Sequence, residues 1–384
     1  MKSKNLYTWT IGISLLALAT SAEAFETKAK NAILMDFETG TYLFTKDHQE
    51  KIAPASMSKL MTVYILLSKI KEGEISLEDT FTVSEKAWKK GGASSGGSTM
   101  FLKIGQDVSV EDLLKGILIQ SGNDACIVVA ENIAGSEEEF AEMMNETAQK
   151  MGLKNAHFEN ATGLPHPKHR ISPEDLAILA RHIIKDFPEY YPIFKQKEFT
   201  FNGIKQGNRN PLLYSLPGAD GLKTGHTDEA GYCLTASVKR GNRRLIEVVT
   251  GLSSNKERSE ESESLMTWGF SNYENYTLYK KNQILAEIPV WYGTIEKIEA
   301  VAPEDIVRTI KKSTKNKYSA KLVYKSPLKA PIFKGDKVGE IHLIYGDSVK
   351  EKIPLVAKGD VAKMGFINRF FANLKYFFLG YGKE

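Results

Sequence analysis

One stretch constrains this chain more than any other: Pro54-Ala55-Ser56-Met57-Ser58-Lys59, followed by the apolar run Leu60-Met61-Thr62-Val63-Tyr64-Ile65-Leu66-Leu67. A run that is apolar on every side predicts a helix enclosed by other elements, with Ser56 near its N-terminal end. Lys59 is three residues on, so a helix brings its side chain to the face that carries Ser56. A serine hydroxyl is a weak nucleophile until a base takes its proton. A lysine in a dry pocket gives up its own proton more readily and can be that base. The helix N-terminus adds donors and partial positive charge for a developing oxyanion. Ser-x-x-Lys alone is a weak signal, because Ser3, Ser58 and Ser68 also sit near lysines. Alone, Ser56 reads as a helix cap.

Two further stretches change that weighing. Ser121-Gly122-Asn123 follows the apolar segment Leu113–Ile119. Lys223-Thr224-Gly225 precedes the strand-like Gly231–Val238. Ser-x-x-Lys, Ser-x-Asn and Lys-Thr-Gly in that order resemble the motif trio of penicillin-binding proteins and class A β-lactamases, with Gly122 where that trio has Asp.

At 384 residues with a 42% hydrophobic fraction, the chain has room for one large domain or two ordinary ones, each with a core. Its formal charge of +4, without a basic-aromatic array, gives no reason to expect a nucleic-acid partner. Residues 1–24 read as a signal peptide: Lys2 and Lys4, the apolar Ile11–Ala19, then Ala22-Glu23-Ala24 before a cleavage point. Cys126 and Cys233 read as two free buried thiols. No Cys/His spacing suggests a metal site, and no cofactor is expected.

Residues 25–274 are expected to form a mixed α/β catalytic domain. Ala32–Phe37 and Tyr42–Thr45 flank Glu38-Thr39-Gly40-Thr41 as a hairpin. Helical stretches follow, among them Val110–Leu118 and Glu137–Met151. Strands return at Tyr232–Lys239 and Leu245–Leu252, so the antiparallel sheet draws on distant parts of the chain. Lys256–Phe270 reads as a helix packing back on it. Gly91–Phe101 reads as a flexible loop beside the pocket. His157, His166 and His169 lie among Pro and Gly without ligand spacing and read as solvated loop histidines. Ser172 reads as an N-cap, with Asp175 given a capping role in preference to facing the active site.

Residues 275–358 change texture to short alternating runs separated by turns, the pattern of a small β-sandwich. In residues 359–384, Met364, Ile367, Phe370, Phe371, Leu374, Phe377 and Phe378 recur at helical spacing. Lys363, Arg369 and Lys375 interrupt the apolar run, so an amphipathic helix lying in a membrane interface fits better than a span.

The chain as a whole resembles the D-alanyl-D-alanine carboxypeptidases among the low-molecular-mass penicillin-binding proteins. Lys205–Asn210, Asp220–Thr227, Ala230-Gly231-Tyr232 and Val290-Trp291-Tyr292-Gly293 carry the likeness beyond the trio. The resemblance implies a serine peptidase in which Ser56 attacks the bond between two D-alanines of a peptidoglycan stem peptide. Lys59 accepts the proton, Ser121 relays it, Lys223 tunes Ser121, and Asn123 positions substrate and Lys59. Thr224, Gly225 and His226 bind substrate, with Thr224 on its carboxylate and the Ser56 and His226 N–H groups as oxyanion hole. Arg244 is the implied cation near that carboxylate and Arg209 a second candidate. β-Lactams are implied covalent inhibitors. The Glu-x-x-Leu-Asn stretch that speeds deacylation in class A β-lactamases is absent after Asn123. The alternatives are a D-alanine-specific endopeptidase, a weak β-lactamase, or a non-catalytic wall-binding scaffold. The implied location is the periplasmic face of the inner membrane, held there by the C-terminal helix.

Overall fold

A computed structural model describes residues 25–379. The signal peptide expected over residues 1–24, and the last five residues of the tail, lie outside the described residues.

A five-stranded antiparallel sheet forms the centre of the first domain. Its strands run in the order Tyr42–Lys46, Asn31–Asp36, Arg243–Leu252, Gly231–Arg240, Ala219–Thr227. The first two come from the start of the domain and the other three from its end. Ile33 and Met35 point to one face, Ala32 and Leu34 to the other, as strand alternation requires. Both faces are therefore covered. On one lie the helices Lys59–Lys71, Asn123–Ala134, Glu137–Lys150 and Pro173–Asp186. On the other lies Asn255–Asn272, packing Leu265 and Met266 against Leu34, Leu245 and Val249. Leu60, Met61, Val63 and Leu66 are all fully buried, so the N-terminal half of the Lys59–Lys71 helix is enclosed, while its last turn reaches solvent at Lys71. Truncating any one of its large apolar side chains to alanine should cost about 2–5 kcal/mol.

Local chemistry sets the helix starts. Ser136, Ser172 and Ser254 each accept a hydrogen bond from the backbone N–H three residues on. Asp175 stands at the third position of its helix, where its own N–H donates to Ser172 Oγ. Its Oδ2 accepts the Asn155 N–H at 2.6 Å, holding the preceding turn.

The second domain is all β. A six-stranded sheet runs in the order Tyr318–Tyr324, Lys337–Tyr345, Ser348–Ala357, Lys297–Val301, Ile284–Trp291, Leu328–Lys329. A two-stranded ribbon, Tyr273–Tyr279 with Ile306–Lys311, closes the same core through Leu278 and Ile306. The ribbon is also the seam with the first domain. Asp36 accepts from Arg243 Nε at 2.9 Å and from Asn275 Nδ2 at 3.1 Å.

Residues Phe366–Leu379 form a helix. Its root is stitched to the β domain by Met364 N–H to Tyr292 O at 2.8 Å and Thr294 N–H to Ala362 O at 2.8 Å. Among the described residues no helix is long and apolar enough to cross a membrane.

Candidate active site

Ser56 does not lie inside the long helix. It sits in a 3-10 turn, Ala55–Ser58, that leads into it. Ala55 at φ +48° turns the chain just before the serine. Ser56 stays partly exposed while the rest of the turn is buried.

Lys59 is fully buried, and its Nζ has three partners: Ser56 Oγ at 3.0 Å, Asn123 Oδ1 at 2.8 Å and the Thr162 carbonyl at 2.5 Å. These are a hydroxyl, an amide oxygen and a backbone carbonyl, with no carboxylate among them. Burial is the largest effect on this lysine and pushes its pKa down to about 8. An ammonium would spend all three protons on these partners. A neutral amine donates two and accepts the Ser56 hydroxyl proton with its lone pair.

Ser121 and Asn123 bracket the start of the Asn123–Ala134 helix. A π-helical turn, Gly116–Gln120, delivers Ser121 with a left-handed backbone at φ +61°. Lys223 Nζ donates to Ser121 Oγ at 3.0 Å. Burial, then the charges of Lys59 and Arg209, push Lys223 well below the ordinary lysine pKa. Both lysines are therefore biased toward the neutral amine.

Lys223, Thr224 and Gly225 lie on the edge strand Ala219–Thr227, which runs against the Ser56 turn. A Cβ on Gly225 would stand 3.0 Å from Pro54 O and 3.2 Å from the Ala55 Cβ, so any larger residue would have to push the Ser56 turn back by a few tenths of an ångström. His226, next along, is exposed and packs against Tyr232 with ring centroids 4.1 Å apart.

The Gly91–Phe101 segment lies beside this cluster as expected, but it is fastened there. Buried Asp124 accepts from Thr99 Oγ1 and from the N–H groups of Met100 and Leu102. Ser98 O accepts the Asn123 N–H at 2.8 Å, and a Cβ on Gly97 would stand 2.8 Å from Asn123 Nδ2.

The two expected arginines part company. Arg209 donates to Ser98 Oγ at 2.6 Å, which puts it on the rim beside Asn123. Arg244 is on the Arg243–Leu252 strand opposite Lys239, near the far end of the sheet. Its guanidinium is taken up by both oxygens of Asp220 at 2.6 and 2.7 Å, and by Ser237 and Tyr191. Arg244 is therefore corrected from a carboxylate-facing cation to one half of a structural ion pair. Its neighbour Arg243 likewise pairs with a carboxylate, Asp36. The cation behind the edge strand is Arg258, buried, donating to Gly225 O at 3.5 Å and Cys233 O at 3.3 Å. Burial pushes its pKa down to about 10. No motif pointed to it. The buried stripe Arg258, Ser262, Leu265, Met266, Gly269 at helical spacing was the available signal.

His169 is a second correction. It is 2% exposed rather than solvated, because Phe158 packs edge-on against its ring at 5.5 Å. Cys126 and Cys233 are free and buried, as expected.

Comparison with known proteins bears on all of this. Residues 18–254 match the family described as D-alanyl-D-alanine carboxypeptidase, and residues 273–363 match that described as penicillin-binding protein 5, C-terminal domain. D-alanyl-D-alanine carboxypeptidase DacF of Bacillus subtilis is 40% identical over 377 residues, covering 94% of this chain and 95% of the relative. D-alanyl-D-alanine carboxypeptidase DacC of Escherichia coli is 42% identical over 357 residues, covering 92% and 89%. The crystal structure of penicillin-binding protein 5 from Haemophilus influenzae superposes with a TM-score of 0.82 at 37% identity, covering 89% of this chain and 99% of that one.

Proposed function

The chain belongs to the D-alanyl-D-alanine carboxypeptidase family, and from that premise we propose that Ser56 is the nucleophile of this serine carboxypeptidase. The observation that carries the assignment is the Lys59 amine, buried and 3.0 Å from Ser56 Oγ, with its pKa drawn down to about 8. Neutral Lys59 takes the hydroxyl proton as Ser56 Oγ bonds to the carbonyl carbon between the two D-alanines. The Ser56 and His226 N–H groups face the oxyanion, an arrangement worth a few kcal/mol of barrier. Lys223 donates to Ser121 Oγ, so the Ser121 hydroxyl proton goes to the departing D-alanine nitrogen as the carbon–nitrogen bond breaks, and the proton taken up by Lys59 is returned to Ser121. The acyl-enzyme is then hydrolysed by water, releasing a peptide shortened by one residue.

Asn123 holds Lys59 and faces the substrate amide. Thr224 and Gly225 present the edge strand to the peptide. Arg209 on the rim and Arg258 behind the strand supply positive potential for the terminal carboxylate, in place of Arg244. Peptidoglycan stem peptides are the substrates, and β-lactams acylate the same serine. The Phe366–Leu379 helix attaches the enzyme peripherally to the outer face of the inner membrane after export by the leader. Its exposed Ile367, Phe371 and Leu374 support that attachment.

The test is D-alanine release from a pentapeptide ending in D-alanyl-D-alanine, wild type beside Ser56→Ala. Release by wild type alone supports the assignment. Equal release by the variant would place the nucleophile elsewhere.

A further inference from the structure

Three cations from three separate segments line one groove at the root of the terminal helix. They are Lys329 on the short Leu328–Lys329 strand, Lys363 just before the helix, and Arg369 on its first turn. Tyr292, Phe366, Phe370 and Asn373 complete the lining of a cavity of about 310 Å³. Phe366, Arg369, Phe370 and Asn373 are spaced three and four apart, so they share one helix face. Tyr292 OH donates to Asn373 Oδ1 at 2.6 Å and ties one edge of that face to the β domain.

The charges of this groove are uncompensated. The ion pairs of the β domain among the described residues join Lys297 to Glu287, Arg308 to Glu351, Lys337 and His342 to Glu340, and Lys358 to Glu299. Among the described residues none of these engages Lys329, Lys363 or Arg369. Among the described residues Arg369 Nε is buried with no hydrogen-bond acceptor, its guanidinium lying over the Phe366 ring at 5.9 Å. The chain supplies no Asp or Glu between residues 361 and 383. Three like charges around one cavity repel each other until an anion enters. The same cavity has two phenylalanine walls, Phe366 at 78% and Phe370 at 57% exposed, which open outward. A free inorganic anion would match the cations but not these walls.

We propose that the groove is a headgroup site for an anionic phospholipid, with the phosphodiester between Lys329, Lys363 and Arg369 and the acyl chains leaving past Phe366 and Phe370. This rests on the peripheral attachment argued above and adds lipid selectivity to it. The helix alone would insert its apolar arc into any bilayer. The groove makes binding depend on headgroup charge, and it fixes the β domain against the surface at one defined point.

The test is sedimentation of the full chain with vesicles of phosphatidylcholine alone, or with one third phosphatidylglycerol. Fluorescent-penicillin labelling reports that each variant is folded. Wild type is expected to bind the anionic vesicles about tenfold more tightly. The double variant Lys329→Gln/Lys363→Gln should lose that preference while still binding neutral vesicles. The control Lys312→Gln/Lys315→Gln, near the opposite edge of the six-stranded sheet, should keep it. Equal losses from both pairs would mean diffuse charge rather than a site, and would overturn the proposal. Equal wild-type binding to both vesicles would leave membrane attachment standing and remove the headgroup site. Binding to neither vesicle, with a helix-dependent dimer instead, would assign the groove to a second copy and remove the membrane reading as well.

Discussion

His169 Nε2 donates a 2.7 Å hydrogen bond to Ser58 Oγ, two residues from the nucleophile, from a loop 111 positions later in the chain. The tautomer follows from the other nitrogen: Nδ1 accepts the Glu159 N–H at 3.2 Å, so the ring proton is on Nε2. Protonating Nδ1 would cost that bond inside a buried pocket. Burial accordingly pushes the His169 pKa down to about 4. The bond ties the Ser56 turn to the loop whose Thr162 carbonyl receives Lys59.

A sign for stability follows. The folded pKa is below the unfolded one, so between about 4 and 6.5 the unfolded chain binds the extra proton. Stability therefore falls as pH drops through that window, by about 3 kcal/mol at pH 4. Urea unfolding of wild type and His169→Gln between pH 4 and 7 checks this. The variant should start less stable at pH 7 and show a flatter slope. An unchanged slope would remove His169 as its source.

Lys59 predicts the pH dependence of the chemistry. With a pKa of about 8, the free amine grows as pH rises through that value, so acylation by penicillin should rise along a limb centred there. Lys59→Arg keeps a cation that cannot deprotonate and should slow acylation about 10³-fold. A pH-independent wild-type rate between 6 and 10 would mean that another group is the base.

The two arginines predict opposite phenotypes. Arg209→Ala should raise KM for a pentapeptide with a free terminal carboxylate about tenfold, and should change little for its amide. Arg244→Ala leaves Asp220 without its guanidinium and should cost about 3 kcal/mol of stability, with KM nearly unchanged. Steady-state kinetics on the peptide pair, beside denaturant unfolding, separates them. A KM effect from Arg244→Ala alone would restore the assignment read from the sequence.

The difference between those arginines shows what the sequence could carry. Ser56, Lys59, Ser121, Asn123 and Lys223 stand in short motifs whose spacing encodes local geometry, so their meeting could be anticipated. The hairpin strands and the helix after Ser172 are legible for the same reason: strand alternation and an N-cap serine are local signals. Arg244, Arg258 and His169 depend on which side chains distant segments bring to them. Asp220 lies 24 residues before Arg244, and Ser58 lies 111 before His169. Nothing local distinguishes an arginine that meets an aspartate from one that meets a substrate. The strand Ile306–Lys311 was missed because its basic, alternating sequence reads equally as a solvated connection.

Gly97 gives the sharpest test of how the cluster is held. A Cβ there would stand 2.8 Å from Asn123 Nδ2, closer than a Cβ, which makes no hydrogen bond, comes to another heavy atom. The amide must therefore shift, and its other end is Oδ1, 2.8 Å from Lys59 Nζ. The rest of the segment cannot retreat easily, because Asp124 holds Thr99, Met100 and Leu102. Gly97→Ala should thus act on the lysine without touching it. Acylation should slow about tenfold to a hundredfold, consistent with the cost of misplacing a catalytic group by about an ångström. Global stability should hardly change, since Gly97 is exposed. Stopped-flow acylation by penicillin, with thermal unfolding alongside, reads both. Unchanged acylation in a folded Gly97→Ala protein would mean that Asn123 moves freely and that Lys59 is positioned by Thr162 and Ser56 alone.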